Sequence, residues 1–375
     1  MAKFTFGQIA KEVRLTYNGD KTDIPIVGLE HIVPKELTVT NYDINTNNTF
    51  TKSFKKGQIL FGRRRAYQHK AAIATFNGIC SGDITVIEPI EGIVYPALLP
   101  FIVQNDAFFS HAVQGSAGSL SPRVKWEHLS SYEIELPSIE EQRVLAEKLW
   151  AAYRLKESYK RLLAATDEMV KSQFIEMFGN PLSSKQKNEL KKLGECCCIN
   201  PRRPNITLHD TDKVSFVPMS AVSEDGHLLD ILDEEYGKVK KGFTYFENND
   251  VLFAKITPCM ENGKGAIAQG LTNGIGMGST EFHVLRPINE ISSPYWLLAL
   301  TQMPVFRERA AKNMSGTGGQ KRVAAAYLEH FMVGVPSIEE QRHFEAIYKQ
   351  ADKSKFELRK SIDAIDQVIK SLING

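Results

Sequence analysis

The chain has little of what a catalyst needs. Its 375 residues include five cysteines, Cys80, Cys196, Cys197, Cys198 and Cys259. Three are adjacent, which gives no metal-ligand spacing, and an odd count argues against a disulfide framework. Reduced thiols in a cytoplasmic protein are the expectation. No HExxH and no paired CxxC occurs, so no motif for a metal exists. The Gly-rich phosphate loop is missing too: Glu261-Asn262-Gly263-Lys264 lacks the preceding glycine and the following Ser or Thr. Asn180-Pro181-Leu182 starts like the Asn-Pro-Pro-aromatic signature of amino-methyltransferases, without its second proline or its aromatic. No nucleophile elbow appears, and the nine histidines are scattered. No stretch is apolar for 18 residues and the N-terminus lacks a signal-peptide pattern, which excludes the helical membrane class and fits the cytoplasm. With a net charge of only +2, any nucleic-acid surface must be local.

What the chain does have is one phrase said twice. Pro137-Ser138-Ile139-Glu140-Glu141-Gln142-Arg143 returns as Pro336-Ser337-Ile338-Glu339-Glu340-Gln341-Arg342, a shift of 199 positions. At the same shift Arg123-Val124 falls on Arg322-Val323, Leu129 on Leu328, Asp167 on Asp366 and Lys171-Ser172 on Lys370-Ser371. Upstream, Gln58-Ile59-Leu60-Phe61 resembles Asp250-Val251-Leu252-Phe253 once small insertions are allowed. The order is globular unit, helix, globular unit, helix. Two copies of one unit give internal two-fold character, which suits a target with two half-sites. The competing reading is an old duplication that serves stability alone.

After Pro137 and Pro336 the pattern becomes helical. Ser138 with Glu141, and Ser337 with Glu340, form capping boxes in which serine and glutamate satisfy each other's orphan amides. The first apolar seam reads Leu145, Leu149, Ala152, Leu155, Tyr159, Leu162, Thr166, Met169 and Phe174. The second reads Phe344, Ile347, Ala351, Leu358, Ile362, Ile365, Ile369 and Leu372. The steps are mostly 3 and 4, the coiled-coil interval. The first helix runs to Phe178, before Gly179-Asn180-Pro181, about 60 Å at 1.5 Å per residue. Packing one helix against the other, antiparallel and with a pseudo-two-fold axis, is the simplest arrangement. Docking each on its own globular unit is the alternative.

The fold class expected is therefore α+β: two mixed α/β domains, 1–135 and 183–334, separated by long antiparallel coiled-coil helices, 136–182 and 335–375. Ile59-Leu60-Phe61 and Val251-Leu252-Phe253 read as buried strands. Asn77-Gly78 and Asn273-Gly274 read as hairpin turns. Tyr95 to Val113 and Tyr295 to Ala311 read as one helix each. Candidate nucleic-acid residues lie in loops at matched places. The first unit offers Arg63, Arg64, Arg65, Tyr67 and Lys70, then Ser116, Ser119 and Arg123. The second offers Lys255, Thr257, Asn262 and Lys264, then Ser315, Thr317, Gln320, Lys321 and Arg322. Guanidinium forks clamp phosphates or read guanine, Asn reads adenine, and glycine admits close backbone approach. For any one of them a solvated loop is the competing reading; together they favour a DNA surface.

At these residues the chain resembles a known family, the specificity subunits of type I restriction-modification systems. Leu136 to Arg143 and Val335 to Arg342 are similar to the family's entry into each conserved helix, although Ser138 and Ser337 stand where a second proline is common. Gln173-Phe174-Ile175-Glu176-Met177-Phe178-Gly179-Asn180-Pro181 is similar to the helix exit. Phe216-Val217-Pro218-Met219-Ser220 and Gly316-Thr317-Gly318-Gly319-Gln320 resemble parts of target-recognition domains. The resemblance covers essentially the whole chain. It implies that each domain reads half of a split double-stranded DNA target and that the helices set the spacer. It also implies two methylation subunits, restriction (translocase/nuclease) subunits, and S-adenosylmethionine, ATP and Mg belonging to those partners, with no cofactor and no catalysis in this chain. Half-site centres about 34–36 Å apart, one turn of B-DNA, suit such a chain. A recognition subunit of another restriction-modification class, a nucleic-acid-binding regulator and a coiled-coil scaffold remain as alternatives.

Overall fold

Ile59-Leu60-Phe61 is apolar at every position because its strand is covered on both faces. Side chains alternate along a strand. Ile59 and Phe61 join one core with Phe6, Ile87, Phe101 and Phe108, while Leu60 joins another with Val27, Phe54 and Val86. Val251-Leu252-Phe253 repeats this: Val251 and Phe253 pack with Trp296 and Phe306, and Leu252 packs with Val217, Phe246 and Val284. Burial on two sides removes the polar alternation of a half-exposed strand.

The computed structural model describes residues 2–118, 121–180, 188–317 and 319–374. It falls into two compact units, Met1–Lys160 with Arg359–Gly375, and Arg161–Leu358. In the first, one sheet has the order Ala10–Val13, Ile84–Pro89, Ile59–Gly62, Ala71–Ala74, Thr38–Val39, with only the last pair parallel. A smaller sheet sets Gly78–Cys80 parallel to Ile26–Val27 and antiparallel to Lys52–Phe54. Ala2–Thr5 pairs with Glu133–Leu136. The second unit follows the same plan. Cys197–Ile199, Phe282–Pro287, Val251–Ala254 and Gly265–Ile267 are antiparallel neighbours in that order. Ile275–Gly278 lies parallel to Lys213–Val217 and antiparallel to Thr244–Glu247. Glu189–Lys192 pairs with Met332–Val335. The copies differ at sheet edges: Thr38–Val39 is added in one and Leu232–Glu235 in the other.

The Asn-Gly dipeptides do not make hairpins. Ala71–Ala74 and Gly78–Cys80, on either side of Asn77, belong to different sheets, and so do Gly265–Ile267 and Ile275–Gly278 around Asn273. Asn273 and Gly274 adopt the expected left-handed conformation, φ 55° and 70°. The dipeptide sets a local reversal, while the two-core packing sends the strands to separate partners. The expected single helices after these strands are each two. Leu99–Gln104 and Asp106–Gln114 break at extended Asn105, whose side chain accepts from Ala107 N at 2.8 Å. Pro294–Gln302 and Pro304–Lys312 break at Met303, since the residue before a proline avoids helical dihedrals.

Both long helices form as expected, α1 over Ile139–Phe178 and α2 over Ile338–Asn374. The capping boxes are present: Ser138 N and Ser337 N donate to Glu141 and Glu340 at 2.9 and 3.0 Å, and each glutamate's amide donates back to the serine Oγ. Gly179, φ 70°, ends α1. Each unit takes part of both helices. In the first, Ala146, Leu149 and Tyr153 are core residues, and Ile369, Leu372 and Ile373 pack on that core. In the second, Phe174 and Phe178 of α1 meet Phe344 of α2, with ring centroids 5.3 and 5.6 Å apart. A helix of 40 residues outruns a small domain, so it serves two cores.

The expected seam is wrong in its middle. Leu155, Leu162 and Met169 are 45%, 51% and 43% exposed. Charged residues hold the inner positions instead. Lys156 donates to Asp366 at 2.6 Å in the first unit, and Lys355 donates to Asp167 at 3.0 Å in the second. A long lysine stem packs like an apolar chain when its ammonium is paired, which pattern reading by apolar residues overlooks.

Candidate nucleic-acid interface

Most of the candidate residues gather at two matched clusters, one per unit; Asn262 instead lines a cavity with Asp167, Arg307, Tyr348 and Lys355. Each cluster joins the loop that follows a central strand to a glycine-containing loop. In the first, Arg63 N donates to Asp83 O, and Val124 N donates to Arg63 O, both at 2.9 Å. In the second, Lys255 N donates to Glu281 O, and Val323 N donates to Lys255 O, again both at 2.9 Å. The glycine-containing loop closes on itself in the same way. Ala117 and Arg123 exchange two backbone hydrogen bonds, 3.1 and 2.9 Å, as do Ser315 and Arg322, 3.0 and 2.8 Å. The two loops then meet: Arg65 N donates to Pro122 O at 2.9 Å, and Thr257 N to Lys321 O at 3.0 Å.

A carboxylate sits behind each junction. Arg123 Nε donates to Asp83 at 2.7 Å. Arg322 donates through Nε and Nη2 to both oxygens of Glu281, each at 2.8 Å, a bidentate pair. Arg64 also reaches Asp83, through Nη1 at 3.3 Å, and donates to Ser121 Oγ at 2.9 Å. Burial pushes the Asp83 carboxyl up, but the hydrogen bonds and charges of Arg123 and Arg64 outweigh it and hold it below the usual carboxylate range. For Glu281 the hydrogen bond from Arg322 dominates, burial opposes it, and the result is again below the ordinary value. Behind the second loop, burial lowers the pKa of His283, whose Nε2 lies 2.8 Å from Val323 O.

The other candidates divide into held and exposed. Lys70 donates to Leu29 O at 2.7 Å, Ser116 to Ala112 O at 2.9 Å, and Lys264 to Met219 O at 3.4 Å. Thr257 Oγ1 donates to Gly319 O at 2.8 Å. Lys255 and Arg63 are half-buried. Arg65, Tyr67, Asn262, Ser315, Thr317, Gln320 and Lys321 are exposed, Tyr67 by 55%. Ser119 lies outside the described residues. The exposed set offers a guanidinium, an ammonium, an aromatic ring, amides and hydroxyls, the groups that contact phosphates and base edges.

Reading by motif missed the two carboxylates. The signal was present: Asp83 and Glu281 each directly precede a strand, Ile84–Pro89 and Phe282–Pro287. It also missed what the repeated glutamine does. Gln142 and Gln341 are 2% and 0% exposed. Each accepts a backbone amide at 2.8 Å, from Tyr95 and Ser293. Each donates to two carbonyls, Ile93 and Pro137 in one copy, Ile291 and Pro336 in the other. The repeated phrase is therefore a joint: Ser and Glu cap the helix, and Gln bolts its first turn to the unit beside it.

A family model described as the type I restriction modification DNA specificity domain matches residues 8–165 and 185–367. The chain is similar to the type I restriction enzyme EcoAI specificity subunit of Escherichia coli, 36% identical over 178 residues, 45% of this chain and 30% of that protein. It is similar also to the EcoEI specificity subunit of Escherichia coli, 34% identical over 188 residues, 48% of this chain and 31% of that one. These alignments span about a third of the curated relatives' length. Two solved structures share the fold. One, described as showing complex assembly and conformational transition of the type I R-M system, aligns at TM-score 0.55 and 17% identity over 100% of this chain and 96% of that chain. The other, the type I restriction-modification S subunit from M. genitalium, aligns at 0.56 and 14% over 99% and 94%.

Proposed function

The chain belongs to the type I restriction modification DNA specificity family, and from that premise we propose that it is a specificity subunit that supplies address and not chemistry. Each unit reads one half of a split double-stranded DNA target through its paired loops. The observation that carries this is the doubled cluster: one backbone frame, built twice, presents two different sets of exposed polar side chains. Arg65 and Tyr67 in the first unit, and Asn262, Thr317, Gln320 and Lys321 in the second, meet bases and phosphates. The long helices set the spacer and dock two methylation subunits, which restriction (translocase/nuclease) subunits join. S-adenosylmethionine, ATP and Mg are used by those partners in the cytoplasm. Among the described residues no cluster of metal-ligating side chains occurs and no helix is long and apolar enough to cross a membrane.

The test is adenine methylation across the host genome, with and without this gene. Loss of one split motif, both halves vanishing together, is the expected result and reveals the target. An unchanged methylome, with partner genes expressed and active, overturns the proposal.

A further inference from the structure

We propose that Asp83 and Glu281 are positioning residues for half-site reading, each clamping the arginine that closes its unit's reading loop. The inference rests on the DNA-reading proposal above and assigns Arg123 and Arg322 a role that touches no base. Both arginines stand at the closing end of a loop whose tip contains glycines, Gly118 in one unit and Gly316 and Gly319 in the other, all with positive φ. A loop with glycine at these positions has more than one backbone conformation open to it unless its base is held. It is useful for reading only in the fraction of time it holds one of them, and apparent affinity falls with that fraction. The clamp acts at the base, where it closes the loop. Arg123 is fixed through its backbone to Ala117 and through its side chain to Asp83; Arg322 is fixed to Ser315 and to Glu281. Asp83 O and Glu281 O also accept from the loop that follows the central strand, Arg63 N and Lys255 N. One acidic residue thus ties both loops of its unit together, and the same tie recurs in two units whose loop sequences differ. An arginine spent on a carboxylate is also withdrawn from indiscriminate phosphate contact, which sets non-specific affinity.

The experiment uses the full chain with its methylation partners and two readouts. Hydrogen exchange follows residues 115–124 and 315–323, and selection from randomised duplexes reports each half-site. In Asp83→Asn the first loop exchanges about tenfold faster and preference at the first half-site falls about tenfold, while the second half-site stands; Glu281→Gln does the converse. The charge-retaining Asp83→Glu and Glu281→Asp restore most of both signals, which a general loss of packing would not allow. Unchanged loop exchange in Asp83→Asn and Glu281→Gln overturns the clamp. Equal loss at both half-sites from a single substitution overturns it as well, by exposing global destabilisation. If the unsubstituted chain selects no split target although its loops respond to the substitutions, the DNA reading fails and takes the half-site role with it, leaving a purely structural tie.

Discussion

At the base of the first reading loop Arg64 and Arg123 share Asp83; at the same place in the second unit stands Ile256, and Glu281 holds Arg322 alone. The first junction therefore brings one more guanidinium to its carboxylate than the second does. Behind them the first unit has Thr85 and the second has His283, both buried. Elsewhere in each unit the copies share their contacts: the glutamine, the capping serine and glutamate, and the backbone bonds that close the loops recur. Between the buried glutamine joints and the exposed loop residues the contrast follows solvent access, whereas Thr85 and His283 differ although both are buried and the capping boxes recur although both are exposed. A buried amide or carbonyl left without its partner costs about 1–3 kcal/mol, so the groups that satisfy it are constrained. An exposed loop residue exchanges one partner for water at little cost, so the loops are open to change.

The largest test of that division is exchange. Replacing residues 1–135 by the matching domain of another family member is expected to replace one half of the methylated motif completely and leave the other unaltered. A change in both halves, seen by methylome sequencing, breaks the equivalence of frame and reader. Next come the glutamines. Gln142→Ala and Gln341→Ala each strand one amide and two carbonyls, and each is expected to lower stability by about 2–4 kcal/mol in urea unfolding. Costs that differ by more than about twofold would mean that the two joints are not the same device. Smaller again, Ser138→Ala and Ser337→Ala each remove a cap worth about 1 kcal/mol, measurable by the same unfolding curves. The smallest effect is local. Because Asp83 and Glu281 sit below the ordinary carboxylate range, their hold is complete above about pH 4–5 and is lost as pH falls through the lowered values. Loop amide resonances followed from pH 7 to about pH 3 are expected to move in both units while the strands keep theirs. Loops that stay fixed throughout argue that the backbone bonds suffice without the charge.

Much of the frame was legible beforehand, for physical reasons. The ends of α1 were readable because caps and glycine act within one turn, and Ile139–Phe178 emerged as read. Buried strands were readable because apolar runs have few other uses. The middle of the helix seam was not, because Lys156 holds an inner position beside the exposed Leu155, and Lys355 fills the gap between Ala351 and Leu358 that apolar counting leaves empty. The Asn-Gly turns misled because a dipeptide fixes a reversal without naming the strand's partner. Of the candidate site, the sequence offers the loop residues as one undivided set; proximity to Asp83 and Glu281, some 40 residues away in sequence, decides which arginines are engaged. No local pattern carries that distance.

The two lysine–aspartate pairs lead somewhere else. Lys156 and Asp167 stand on α1 with the same spacing as Lys355 and Asp366 on α2, and the lysine of each helix bonds the aspartate of the other. Each helix therefore carries both halves of the bond it makes, as a palindrome carries its own complement. A surface of that kind recognises a copy of itself, which is the grammar of isologous association. Joining two such copies in one chain changes no contact. It converts an encounter that depends on concentration into one that the chain supplies to itself.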